Sequence, residues 1–249
     1  MDLYLKNKVA LVTGAGSGIG RTTALFLAAE GARVCCADLF EDKAVETVGM
    51  IEEGGGIAIK STLDVREYAQ VTETVAETVR SFDRLDILVN SAGVAAGGLF
   101  MDTKPEDWAR EIDINLVGTM NCCRAAIEHM TSKGYGKIVN LASDAGRVGE
   151  KRLSVYSASK GGVIAFTKAL AVEMGRFKIN VNAVCPGVVK SPMTSYLTED
   201  MEKEWARFYP LRRLGETEDI ANMIVFLCSD RTSWMTGQTV GIDGGFARM

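Results

Sequence analysis

The chain has 249 residues, 47% hydrophobic and 24% charged, with a formal net charge of −4. That supplies ample apolar material for a core, and an acidic balance without a long basic run argues against nucleic acid or an anionic membrane as partner. No apolar stretch approaches about 20 residues and no signal-peptide core opens the chain, so a cytoplasmic protein without a membrane span is expected.

The first apolar run, 9–13, is short enough to be a buried strand. It feeds into Gly14-Ala15-Gly16-Ser17-Gly18-Ile19-Gly20, and a helical pattern near 18–30 follows. Glycines between strand and helix let the backbone approach a pyrophosphate, which then faces the positive helix N-terminus. The next strand-like run, 33–37, closes on Asp38, eighteen residues beyond Gly20. A carboxylate there can accept bonds from both adenosine ribose hydroxyls and would repel a 2′-phosphate. Leu39 and Phe40 add no compensating cation, so NAD rather than NADP is the expected cofactor. Capping a turn is the alternative role for Asp38.

Further strand-like runs fall at 57–61, 87–90, 137–141, 179–184 and 239–242. Helix-like segments lie near 41–53, 67–82, 106–131, 155–176 and 217–229, with Gly54-Gly55-Gly56 read as a helix-to-strand turn. In the 155–176 segment, Val163, Phe166, Leu170 and Met174 keep helical spacing. Strand–helix alternation along the whole chain implies a parallel sheet covered on both faces. The expectation is one doubly wound Rossmann-type α/β domain over 1–249 with seven strands. Residues 191–212 break the alternation with Pro192, Met193, Tyr196, Trp205, Phe208, Tyr209 and Pro210. They follow the sixth strand, near the edge where such sheets bind ligands. A helical flap over a substrate is one reading, and surface packing or a subunit contact is the other.

Six cysteines, with two neighbouring pairs and no Cys-x-x-Cys, read as buried free thiols. His129 is the only histidine, so no metal site is expected. Tyr156 and Lys160, four residues apart, share a helix face. A free tyrosine has a pKa of about 10. A neighbouring ammonium lowers it, which makes the pair a candidate proton-transfer device.

Together these residues resemble the short-chain dehydrogenase/reductase family over essentially the whole chain. Residues 13–20 match its cofactor loop, and Asp64-Val65 resembles its adenine-contacting motif. Asn90-Ser91-Ala92-Gly93 resembles its Asn-Asn-Ala-Gly element, with Ser91 departing from the usual Asn. Asn115, Ser143, Tyr156 and Lys160 match its four active-site positions, and Pro186-Gly187 matches the turn after the sixth strand. Val189 and Ser191 fall where the family contacts the nicotinamide carboxamide. The resemblance implies that Gly14, Ser17, Gly18, Ile19, Gly20, Asp38, Asp64, Val65, Asn90, Ala92, Gly93, Pro186, Gly187, Val189 and Ser191 bind the cofactor with Tyr156 and Lys160. It implies that Tyr156 exchanges the hydroxyl proton and Ser143 holds the reacting oxygen. Lys160 would lower the tyrosine pKa and hold the ribose, and Asn115 would carry a linking water. A loop cap for Ser143 and a backbone bridge at a helix kink for Asn115 stay open as alternatives.

For the substrate, Ser143-Asp144-Ala145-Gly146-Arg147-Val148-Gly149 resembles an element of dehydrogenases acting on hydroxyacyl-CoA thioesters in aromatic and alicyclic acid degradation. Arg147, Lys151 and Arg152 are candidate ligands for coenzyme A phosphates, unless they pair with Asp144, Glu150 or another subunit. Gly97, Gly98, Leu99, Val148 and the 193–209 segment, with Met193 and Trp205, are candidates for an apolar acyl pocket. The alternatives are a free polyol, sugar or small alcohol, a carrier-protein-bound 3-oxoacyl group, or a catalytically silent partner subunit. The helices near 106–131 and 155–176 match those that build the family's oligomers, so a tetramer is expected, of one chain or with a related subunit.

Overall fold

The computed structural model describes residues 1–248. Its sheet has seven parallel strands in the order β3-β2-β1-β4-β5-β6-β7. These are β1 (Val9–Thr13), β2 (Arg33–Asp38), β3 (Ile57–Thr62), β4 (Ile87–Asn90), β5 (Gly136–Leu141), β6 (Ile179–Pro186) and β7 (Thr239–Ile242). The side-chain period of two divides each strand between two cores. Ala10, Val12, Val34 and Cys36 face α1 (Gly18–Ala29) and α9 (Thr217–Cys228). Val9, Leu11, Cys35 and Ala37 face α3 (Tyr68–Phe82), α5 (Gly118–Lys133) and α7 (Ser154–Met174). With α2 (Glu41–Glu53) beside α1, both sheet faces are covered, as the alternation predicts.

The segment predicted as one helix near 106–131 is α4 (Pro105–Ile112), a wider π turn over Asp113–Val117, and α5. The backbone stays helical through the join, while the Asn115 side chain bonds to the Val94 loop. Two short helices escape the periodicity reading because each has too few turns to show a stripe. They are α6 (Asp144–Val148) and α8 (Glu199–Ala206). Ser143 caps α6, its Oγ accepting the Ala145 N–H at 3.2 Å. All six cysteines are free and buried. No helix is long and apolar enough to cross a membrane among the described residues.

The strand order reverses between β1 and β4, so the loops leaving these strands part there and open a crevice. They also touch: a Cβ on Gly14 would lie 2.9 Å from Ala92.

Candidate active site

The crevice is built from the end of β1 outward. Gly14 and Gly18 have φ of +65° and +52°, the left-handed region that favours glycine. A Cβ on Gly20 would lie 2.2 Å from the Gly14 carbonyl oxygen, so α1 starts against its own loop. Ser17, extended in backbone, precedes the first turn of α1. Asp38 ends β2 above this loop, its Oδ2 accepting the Gly16 N–H at 2.9 Å and its Oδ1 the Phe40 N–H at 3.0 Å. The walls also include Ile19, Asp64, Val65, Ala92, Gly93 and Ser191. A bare-backbone cradle at a helix start, with a carboxylate at the far end, fits a dinucleotide.

Two cations in that wall lie outside the sequence reading. Lys43 stands one turn into α2, its Nζ 4.8 Å from the Phe40 ring, and Arg66 forms a fork with Asp64 at 3.0 and 3.1 Å. The Arg66 guanidinium holds the Asp64 carboxyl below the usual carboxylate range. Asn90 departs from its expected place. Its side chain turns into the protein, donating to Asn140 Oδ1 at 2.8 Å and Cys123 Sγ at 3.3 Å, because the pleat of β4 points it away from the crevice. Pro186 is buried at the end of β6, and Gly187 and Val189 instead border a second cleft.

Tyr156 and Lys160 lie on successive turns of α7, with Nζ 5.8 Å from the tyrosine ring centre. Lys160 is buried and donates to the Leu141 carbonyl at 2.7 Å. A Cβ on Gly146 would lie 2.6 Å from the Lys160 carbonyl carbon, so glycine lets α6 press against α7 and carry Ser143 to Tyr156. Gly93 serves the same purpose from β4: a Cβ there would lie 3.1 Å from Asn115 Oδ1 and 3.4 Å from Lys160 Nζ. Asn115 exchanges both hydrogen bonds with the Val94 backbone, each 2.9 Å, and donates to Ser159 Oγ at 3.1 Å. The Asn115 side chain thus bridges to the Val94 backbone. Ser159 Oγ donates in turn to the Tyr156 carbonyl at 2.8 Å.

The electrostatics run against the expected direction. Burial pushes the Tyr156 hydroxyl up to about 12, with Ser143 pulling it back and Glu150 and Glu111 adding to the rise. Burial likewise pushes Lys160 down to about 8. Desolvation acts on both groups, so the lysine alone does not make a phenolate here.

Beyond Tyr156 and Ser143 opens a cleft of about 710 Å³. Its walls include Met193, Tyr196, Trp205, Phe208, Tyr209 and Phe246, with Lys151, Arg152 and Glu150 on one side. Met193, Trp205, Lys151 and Arg152 thus line one cleft. Arg147 and Val148 do not. Arg147 turns away into a buried ion cluster, 2.9 Å from Asp144 and 3.4 Å from Asp243. Val148, at the end of α6, is 45% exposed outside the cleft. Gly97 borders the cleft, while Gly98 and Leu99 line a neighbouring cavity that shares the Arg152 wall. Tyr209 and Phe246 were invisible as a pair in the sequence; their rings meet at 5.4 Å only in the fold.

Comparison with known proteins gives the family. A family model described as enoyl-(acyl carrier protein) reductase matches residues 14–247. A 3-oxoacyl-[acyl-carrier-protein] reductase FabG of Thermotoga maritima is 40% identical, covering 98% of this chain and 99% of that protein. The (2S)-[(R)-hydroxy(phenyl)methyl]succinyl-CoA dehydrogenase subunit BbsD of Thauera aromatica is 39% identical over 97% of each chain. The crystal structure of a provisionally assigned gluconate dehydrogenase from Agrobacterium tumefaciens superposes with a TM-score of 0.96. It is 29% identical and covers 100% of this chain and 99% of its own.

Proposed function

This chain belongs to the short-chain dehydrogenase/reductase family of oxidoreductases acting on alcohol and ketone groups, and we propose that within it the protein is an NAD-dependent dehydrogenase of a hydroxyacyl-CoA thioester. The observation that carries the thioester is the cleft itself: an aromatic-walled space ending at Tyr156 and Ser143, with Lys151 and Arg152 on its side. An acyl group fits the apolar walls, and two exposed cations suit the phosphates of a coenzyme A tail. The relative BbsD, a subunit of a CoA-thioester dehydrogenase, supports the same reading.

NAD, held by the glycine loop and Asp38, would supply the hydride acceptor. The chain's own residues do the rest. Ser143 holds the reacting oxygen, Tyr156 takes the hydroxyl proton in oxidation and returns it in reduction, and Lys160 holds the ribose. Asn115 ties α4–α5 to the Val94 loop, which keeps Lys160 in register. Residues 191–212, with α8 over the cleft, act as its flap. Free, buried thiols fit a reducing cytoplasm. The exposed Met120 and Val172 on α5 and α7 support a tetramer, of this chain alone or with a related one.

The test is NADH formation with 3-hydroxyacyl-CoA thioesters, each run beside its free hydroxy acid. Turnover confined to thioesters is the expected result, and removing both cations in Lys151→Ala/Arg152→Ala should raise KM about tenfold or more. Turnover of free alcohols or polyols only would discard the thioester and favour a sugar-acid type of substrate.

Asp38 carries the cofactor preference. Asp38→Ala loses two charge-assisted hydrogen bonds, so kcat/KM with NAD should fall about 10- to 100-fold. NADP should gain at the same time, because Lys43 and Arg66 line the same end of the crevice. Wild-type protein with equal kcat/KM for the two dinucleotides would remove Asp38 from this role.

A further inference from the structure

Arg147 is 10% exposed in side chain, between a fully buried Asp144 and an Asp243 that is 10% exposed. Its guanidinium passes over the end of β7, where a Cβ on Gly241 would lie 2.3 Å from Nη1, so a side chain there would displace it. Burial drives the Asp144 carboxyl up to about 7, against the pull of Arg147 and with Asp243 adding to the rise. Asp243 in turn accepts the Gly245 N–H through Oδ1 and the Ala247 N–H through Oδ2, both at 2.9 Å. Those bonds wind the segment after β7 into a turn, with Gly244 and Gly245 at φ of +58° and +87°. The turn carries Phe246 onto Tyr209 in the cleft wall, and the Tyr209 hydroxyl accepts the Val188 N–H at 3.0 Å.

The physical path is continuous. Ser143 is followed directly by Asp144, and Asp144 reaches Asp243 through Arg147. Asp243 shapes the turn that presents Phe246, and Tyr209 then ties that wall to the loop beside Val189. We propose that Asp144, Arg147 and Asp243 form a positioning clamp that sets the distance between the reacting-oxygen site at Ser143 and the Phe246 wall of the substrate cleft. Apolar packing is non-directional, whereas hydrogen bonds from the Arg147 Nη1 to Asp144 Oδ1 and Asp243 Oδ2 have preferred directions, so the clamp supplies the direction. The inference deepens the dehydrogenase reading and rests on it. It does not depend on which hydroxyl compound is the substrate.

The experiment compares Asp243→Asn, Phe246→Ala and the double variant with the wild type, using whichever secondary alcohol the wild type oxidises. Asp243→Asn keeps the side-chain volume and removes the charge. Its kcat/KM should fall about 10- to 100-fold, as expected for a misplaced substrate, with NADH affinity within about twofold of wild type. Phe246→Ala should add less to Asp243→Asn than it costs alone, because both act on one wall. If Asp243→Asn does not fold, Arg147→Lys takes its place. In either variant, amide exchange at Gly245 and Ala247 should accelerate, a readout that needs no turnover. Wild-type kinetics and exchange in the variants would overturn the clamp. So would full additivity, or NADH binding lost in step with turnover. A wild type that oxidises no alcohol would instead overturn the dehydrogenase reading, while the exchange measurement still reports on the clamp.

Discussion

Tyr156→Phe will bind NADH with wild-type affinity and lose about 10²- to 10⁴-fold in kcat, the usual range for removing a positioned acid–base group. The ring is retained, so packing in the wall of the cleft is unchanged. Only the hydroxyl that exchanges the substrate proton is gone. Burial, with Glu150 and Glu111 adding and Ser143 opposing, raises that hydroxyl to about 12, so it is protonated near neutral pH. Oxidation, which would need the tyrosine to accept a proton, should therefore speed up as the pH rises from 7 toward 9. Steady-state rates at 340 nm with NADH titration by fluorescence provide the check. A Tyr156→Phe protein with near-wild-type turnover would remove the residue from the chemistry.

Lys160→Met should lose turnover on a similar scale, about 10²-fold or more, and also change how stability depends on pH. Burial depresses the folded-state pKa of Lys160 to about 8, below its ordinary 10.5. The unfolded chain thus binds the proton more tightly between those two values, and stability rises with pH across that window. Above the upper value the lysine is neutral in both states and costs nothing. As the pH falls through the lower one, the folded state must carry a desolvated ammonium, at a cost of about 3 kcal/mol from the shift. One hydrogen bond to the Leu141 carbonyl offsets part of it. Methionine has neither the charge nor the bond. The stability of Lys160→Met relative to wild type should therefore decline by roughly 2 kcal/mol as the pH goes from 7 to 10. Urea unfolding of both proteins without added dinucleotide measures this. A pH-independent difference would mean that the lysine is not desolvated. The result would also show activity bought at the expense of stability.

How far the site could be read from the chain varies residue by residue. The glycine loop and Asp38 were legible because strand, loop, helix and next strand are contiguous, and their geometry follows from backbone rules alone. The Tyr156–Lys160 pair was legible because helical spacing puts the two on one face. Their proton affinities were not. Those depend on how much protein surrounds each group, and α6, β5 and the Val94 loop supply that burial from elsewhere in the chain. Asn90 was misplaced because a motif match does not say which way a pleat points. Lys43 and Arg66 line one crevice only in the folded chain, which brings α2 and the loop after β3 together.

Arg147 shows the same division most sharply. Its neighbours in sequence, Lys151 and Arg152, suggest a basic patch beside the catalytic serine. Its partner in space is Asp243, 96 residues away, and that contact decides its role. By itself, the amino-acid sequence determined the doubly wound sheet, the glycine loop between β1 and α1 and the placing of Tyr156 and Lys160 on one helix face. All of these follow from periodicity and short-range spacing, which a linear pattern records. Only the tertiary structure decided which cations face a ligand, which way buried groups titrate and what walls the substrate cleft. Those depend on distances between segments far apart in the chain, and they exist only after the sheet has brought its edges together.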